Sequence, residues 1–252
     1  MKTVTATLCS LLLPLVFCSG VIINSYRVVT SCGGGSDPYF ANVILLLHAD
    51  GSDGSTTFTD NSPLGLTTTA TGNWQTDTAN YKYGTASMLG DRTGDYATTT
   101  STALYLGTGD FTVEMQVCLV DKTQDQGFFC FNNSFPTAGG GLEFGKNSLY
   151  WYSTIDGVSY SGYAAAVTNN VWFHFAVVRA SGVITIFKDG ISQAVINTSH
   201  SSAAMNYNNL YLGAYYSSSY LLNGWLDEVR ITKGVARYTT NFTPPTAAFP
   251  DS

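Results

Sequence analysis

Residues Phe111–Leu119 read FTVEMQVCL, and this stretch decides the fold class. Phe111, Val113, Met115, Val117 and Leu119 alternate with Thr112, Glu114, Gln116 and Cys118, the period of two by which a strand turns one apolar face to a core. The pattern predicts a half-buried strand of an antiparallel sheet, apolar on one side and solvated on the other. Working outward, Val43–Leu47 is an unbroken apolar run between polar turns, which predicts a central strand covered on both faces. Phe173–Val178 and Val183–Phe187 read as two more strands, followed by Asp189-Gly190, a pair suited to the positive φ angles of a tight hairpin turn. Leu210–Tyr216 and Trp225–Ile231 bring the strands to six. No segment carries the 3.6-residue period of a helix. The expectation is an all-β chain folded as a two-sheet antiparallel β-sandwich.

Composition narrows the function. A chain of 252 residues can bury a sizeable core and remain one domain. Its 11 basic residues are scattered and the net charge is −6, which excludes an unassisted nucleic-acid binder, since that role needs Lys and Arg to neutralise phosphates. Near the start, Lys2 precedes an apolar run from Leu8 to Phe17 and the small residues Ser19 and Gly20. Two readings fit: a secretory signal peptide cleaved near Gly20, or a retained apolar arm that docks the domain onto a larger assembly. The run is too short to span a bilayer, so no stable membrane span is expected. The Gly-rich stretch SCGGGSDP, Ser31–Pro38, reads as a hinge, which divides the chain into an arm over 1–36 and a domain over 37–252. Five cysteines, at 9, 18, 32, 118 and 130, match neither a disulfide framework nor a metal-binding spacing. Cys118 and Cys130 are expected as buried thiols, with a bridge between them conceivable only in an oxidising compartment.

The closing stretch, GWLDEVRITKGVARYTTNFTPPTAAFP from Gly224 to Pro250, resembles the end of laminin-G-like, concanavalin A-type jelly-roll domains of the kind found in structural proteins of tailed bacteriophages. Earlier segments resemble the same family in the same order: DPYFANVILLLHADGSDGSTTFTDNSP from Asp37, YKYGTASMLGDRTGDYATT from Tyr81, GTGDFTVEMQV from Gly107, VWFHFAVVR from Val171 and FKDG from Phe187. The resemblance implies a concanavalin A-like jelly roll and a virion surface protein, either a tail-fibre-like adhesin or a capsid decoration. In that setting the N-terminal arm would hold on to other virion proteins and the sandwich would contact surface glycans weakly. Two alternatives stand beside it. One is a secreted lectin-like domain, which the leader favours; the other is a purely structural subunit-contact module, compatible with homo-oligomers.

Catalytic patterns are missing. Retaining glycosidases on related folds need two carboxyls about 5 Å apart, which on a strand calls for an E-x-D-x-x-E pattern. The chain has only Glu114, Glu143 and Glu228, and the adjacent Asp227 and Glu228 are expected on opposite faces of their strand. The resemblance implies that this D-E pair is part of the fold's closing strand, held through hydrogen bonds or by a nearby Arg. There is no G-x-S-x-G elbow, and His48 and His174 sit among apolar neighbours as structural histidines. The expectation is therefore no enzyme. For calcium, a cation that takes several oxygen ligands, two loops offer carboxylates: Asp50 and Asp53 in one, Asp91 and Asp95 in the other. For glycans, the candidates are aromatic. Trp151 and Tyr152 lie in one tyrosine-rich hairpin, and Tyr215, Tyr216 and Tyr220 lie in a Ser-rich turn where packing explains them less well.

Overall fold

The structure is a computed structural model, and it describes residues 36–134, 138–145, 148–155, 158–164, 167–196, 201–215 and 220–252, with only the backbone described between 132 and 164. In chain order the strands are β1 (Val43–Leu47), β2 (Thr57–Phe58), β3 (Thr68–Thr71), β4 (Gln75–Asp77), β5 (Ser87–Asp91), β6 (Tyr96–Thr100), β7 (Phe111–Leu119) and β8 (Gln126–Ser134). There follow β9 (Ala138–Gly145), β10 (Ser148–Ile155), β11 (Val158–Ala164), β12 (Phe173–Ala180), β13 (Val183–Lys188), β14 (Ile191–Ile196), β15 (Asn209–Leu212) and β16 (Asn223–Lys233). Among the described residues, the helical elements are two three-residue 3-10 turns, and no helix is long and apolar enough to cross a membrane.

The strands form two antiparallel sheets. The front sheet runs β14-β13-β12-β7-β16-β5-β4, with β1 also paired to β16, and the back sheet runs β11-β10-β9-β8-β15-β6-β3-β2. Their facing sides share one core. Phe111, Val113, Met115 and Val117 of β7, Phe175 and Val177 of β12, and Leu226, Val229 and Ile231 of β16 meet Phe129, Phe131, Leu210 and Leu212 of the back sheet. At the end of β12, the fully buried Arg179 donates to the carbonyls of Gly107, Gly109 and Ala203, tying the loops at that end of the core to the sheet.

The six expected strands are all present. Their ends differ in places: the strand expected to reach Tyr216 stops at Leu212, because Gly213 turns to φ 74°. The expected hairpin pair is also present, with Asp189 at φ 50° and Gly190 at φ 73°. Cys118 and Cys130 are both buried, on β7 of the front sheet and β8 of the back sheet.

Two expectations fail, each for its own physical reason. Strand β7 is not half-buried: all nine of its residues are buried. The chain after β16 folds back over the outer face of the front sheet and covers what alternation had assigned to water. Thr112 Oγ1 donates to Val235 O at 3.0 Å, and Phe242 N donates to Gly190 O at 2.9 Å. Tyr238 and Phe242 stack at 3.6 Å and lie against Ala176, Val178 and Phe187. Phe249 closes the other end against Val43 and Leu46, which is why β1 is buried on both faces as expected. Gly190 is required here as well as in its turn, since a Cβ on it would come within 1.9 Å of Phe242 O.

The second failure is in β16. Asp227 and Glu228 do not face opposite ways. The register against β7 shifts between Asp227 and Arg230, and Glu228 takes φ 52°, so the strand carries an extra residue there. Leu226 and Val229 both reach the core, leaving Asp227 and Glu228 together on the outer face.

Candidate functional site

The outer face of the front sheet holds an unusual load of polar side chains under the C-terminal tail. Glu114 on β7 is fully buried and accepts four hydrogen bonds. Arg230 Nε and Nη2 reach its Oε1 at 3.0 and 2.8 Å, while Tyr238 Oη and His174 Nε2 reach its Oε2 at 2.8 and 3.2 Å. Arg230 Nη1 and Arg237 Nη2 both donate to Asp37 Oδ2, at 3.1 and 2.6 Å. Burial by itself would raise the Glu114 carboxyl, but Arg230, His174 and Arg237 outweigh it and hold it at about 2. The Arg230 guanidinium also stacks 3.7 Å from the centre of the Phe249 ring. Of the two arrangements expected for the D-E pair, hydrogen bonds or an arginine, the described residues show the hydrogen bonds. Glu228 accepts from His48 Nδ1 at 2.9 Å and from Phe249 N at 2.7 Å. Burial alone would lower the His48 imidazole, and Glu228 overrides that to raise it.

One strand pair away the same face is built differently. His174, Gln116 and Asp227 stand side by side on β12, β7 and β16, as direct cross-strand partners. All three are buried. Asp227 Oδ2 accepts from Lys82 N at 2.8 Å and Tyr83 N at 3.0 Å, holding the loop between β4 and β5 against the sheet. Tyr83 Oη in turn donates to Pro245 O at 2.7 Å, so this loop and the tail are fastened to each other. Between them lies a cavity of about 310 Å³. Its walls are Tyr83, Trp172, Pro244 and Pro245, and His174 and Gln116 line its floor. Trp172 Nε1 is occupied by Asn80 Oδ1 at 3.0 Å, which fixes the indole.

Four buried side-chain atoms among the described residues lack a hydrogen-bond partner, and two of them, His174 Nδ1 and Asp227 Oδ1, belong to this row. Buried polar groups without partners are uncommon enough to mark a site. With no cation beside it, burial pushes the Asp227 carboxyl up to about 7, and Glu228 next door adds to the shift. Glu114 is ionised and can only accept, so His174 Nε2 carries the hydrogen in that bond.

The residues singled out from sequence fall elsewhere. Tyr215 is buried, its ring 6.2 Å from that of Tyr220, and Tyr220 is 42% exposed, so only Tyr220 of the two offers a free face. Tyr216 and the side chains of Trp151 and Tyr152 lie outside the described residues. The loop aspartates serve backbone amides. Asp50 Oδ1 accepts from Thr85 N and Ala86 N, and Asp53 Oδ1 accepts from Thr78 N. Asp91 Oδ1 accepts from Thr93 N, while Asp95 accepts from Asn73 N and Asp91 N. The Asp91–Thr93 bond is the local kind for which aspartate is favoured in turns, while Asp50, Asp53 and Asp95 pin loops 22 to 36 positions away. Among the described residues, no three carboxylate, imidazole or thiol groups converge as a metal would require. Gln116 went unnoticed in the sequence. The signal was there, because alternation put it on the polar face beside Glu114, but nothing local says that a tail would roof it.

Comparison with known proteins agrees with this architecture. No curated protein matches the chain. Among solved structures, the binding domain of Paraclostridial mosquitocidal protein 1 superposes with a TM-score of 0.61 at 12% identity, over 77% of this chain and 49% of that one. The ligand binding domain of botulinum neurotoxin serotype D, solved in complex with N-acetylneuraminic acid, gives 0.62 at 12% identity, over 79% and 49%. A botulinum neurotoxin type C structure, from work describing cell entry dependent on two ganglioside molecules, gives 0.58 at 14% identity, over 78% and 49%. The chain spans about half the length of these structures, and at such identities the likeness is one of fold. Residues 91–237, more than half of the chain, match the family described as the concanavalin A-like lectin/glucanases superfamily, and the chain belongs to that family.

Proposed function

We propose that this chain is a non-enzymatic attachment module that binds surface carbohydrate and is carried on a virus particle. The observation that carries the binding reading is the cavity under the tail. Its walls are rings and its floor is polar. A sugar ring presents the complement, with C–H faces for the walls and hydroxyls for the floor. The solved neighbours support it by analogy of fold, since one was crystallised with a sialic acid.

The non-enzymatic reading rests on where the carboxyls stand. Glu114 is fully engaged and held ionised, so it has no proton to give near neutral pH. Asp189 is the acid that lines the cavity, and its Oδ1 accepts from His174 N while its Oδ2 accepts from Lys188 Nζ. A glycosidase sets two carboxyls against its substrate, and neither Glu114 nor Asp227 lines the cavity. The virion reading rests on the resemblance of residues 224–250 and needs a retained arm.

A glycan array with the purified full chain tests the binding. The expected outcome is a signal that falls tenfold or more in Trp172→Ala, with thermal stability measured alongside, and survives in Tyr220→Ala. Silence of the array with and without calcium would leave the subunit-contact role as the better account. A signal lost in Tyr220→Ala alone would move the site to the Ser-rich turn. For the virion part, mass spectrometry of protein from purified particles should find a chain starting at Met1 or Lys2. A chain absent from particles and starting near Val21 would replace it with the secreted-lectin reading.

A further inference from the structure

We propose that Asp227 and Glu228 are positioning residues for the cavity: side by side at the bulge of β16, one carboxyl holds the loop that forms one wall and the other holds the tail that forms the facing wall. Ligand affinity then depends on both residues, although neither lines the cavity. This rests on the carbohydrate-binding reading for what the cavity takes, and on geometry for how it is held. The bulge comes first. Regular alternation would send one of two adjacent side chains into the core, and the extra residue at Glu228, with φ 52°, keeps both on the outer face. A non-glycine residue is uncommon in that left-handed region and persists there only where its surroundings fix it.

The loop between β4 and β5 is secured near its ends by other residues, at Thr78 and Ala79 by Asp53 and Asp77, and at Thr85 and Ala86 by Asp50. In its middle, where Lys82 and Tyr83 line the cavity, both of their amides are taken by Asp227 Oδ2. Asp227 can therefore be altered without releasing the ends of the loop. The tail is secured before its wall residues 243–246 by Phe242 N on Gly190 O, and after them by Phe249 N on Glu228 Oε2. Tyr83 Oη, donating to Pro245 O, joins the two walls, so slack in one reaches the other. Charge adds a control. The ionisable groups on the elements around Asp227 are Glu228 on its own strand, paired with His48, Asp77 on β4, Lys82 and Tyr83 on the loop, and Glu114 and His174 on β7 and β12. Burial and the charge of Glu228 oppose ionisation of Asp227, so its hold on the loop is complete in acid and is lost as pH rises through about 7.

The test compares the full chain with Asp227→Ala, Asp227→Asn and Glu228→Ala. Hydrogen-exchange mass spectrometry at neutral pH reads the walls, and calorimetric titration with methyl hexosides, methyl N-acetylhexosaminides and N-acetylneuraminate reads the cavity. Asp227→Ala should speed exchange over residues 80–84 and weaken the sugar that binds by about tenfold, the effect of losing two hydrogen bonds to a carboxyl. Glu228→Ala should speed exchange over 243–249 and weaken the same sugar by about threefold, because the Phe249 ring still packs on Val43 and Leu46. Asp227→Asn, which keeps the accepting oxygen, should restore both readouts. Parent affinity should fall by about threefold or more from pH 6 to pH 8.5, and that slope should vanish in Asp227→Asn. Four results would each overturn the inference while leaving carbohydrate binding standing: folded alanine variants that bind as the parent does, exchange raised evenly over both sheets, an Asp227→Asn no better than Asp227→Ala, or a pH slope that survives in Asp227→Asn. If no sugar binds, the carbohydrate reading fails and the exchange pattern alone decides this inference, which stands if faster exchange is confined to the two walls and falls if it spreads over the sheets.

Discussion

Glu114 and Asp227 are both fully buried carboxyls on the outer face of one sheet, on the adjacent strands β7 and β16, yet they end at opposite extremes. Glu114 is held at about 2 and Asp227 is pushed to about 7. Burial raises both. The difference is what surrounds them: two guanidiniums, a tyrosine hydroxyl and an imidazole converge on Glu114, whereas Asp227 has two backbone N–H groups and the like charge of Glu228. The same division runs through the whole face. One end is saturated and seals the tail to the sheet; the other is left short of partners and encloses a cavity. Saturation marks the structural part of this surface, and shortfall marks the part suited to a ligand.

The comparison breaks most severely if a cation is removed from the saturated end. Arg230→Met should destabilise the fold by about 3–5 kcal/mol, because Glu114 would remain charged, buried and short of its main partner. Urea denaturation at neutral pH measures this, and a loss under about 1 kcal/mol would mean that the cluster matters little to stability. The acid limb should move as well. Glu114 is held below its ordinary 4.5, so its contribution is present above that value and is lost as pH falls through about 2. Removing Arg230 should shift that limb to higher pH.

A smaller effect is expected at the other carboxyl. Asp227 has a raised folded pKa, so its contribution is full below about 4 and is lost as pH rises through about 7. Asp227→Asn keeps an oxygen for the two loop amides and removes the charge. Stability of the variant relative to the parent should therefore rise with pH across that window, by about 2 kcal/mol between its ends. A difference that stays flat from pH 4 to pH 8 would show that Asp227 ionises without penalty. His48, also raised, loses its contribution with Glu228 as pH climbs above the ordinary 6.5 and adds to the same alkaline decline. The smallest change is Tyr238→Phe, which removes one of four donors to Glu114 and keeps the stack on Phe242. About 1–1.5 kcal/mol should be lost, with sugar binding unaltered.

How much of this was legible beforehand differs by residue. Alternation along FTVEMQVCL correctly separated the core residues from Glu114 and Gln116, because strand geometry alone sets which side chains share a face. The unbroken apolar run of β1 correctly announced burial on both sides. The turn at Asp189-Gly190 was legible because few residues accept its dihedral angles. The facing of Asp227 and Glu228 was not, since a single extra residue in β16 inverts the alternation and the pairing partner decides where that residue goes. The loop aspartates show another limit: their composition suits a cation, and only the surrounding amides show what they bond.

The sequence by itself determined the strands, the sandwich and the apolar interior, because these depend on short periods and on dihedral preferences that each segment carries locally. Only the tertiary structure decided that the polar face of the front sheet would be buried. That outcome requires residues 234–250 to fold back onto residues more than a hundred positions earlier, Thr112 and Asp37. Once the tail is docked, Glu114 and Asp227 are both cut off from water. The charge of each carboxyl is then set by which groups the fold places within about 3 Å.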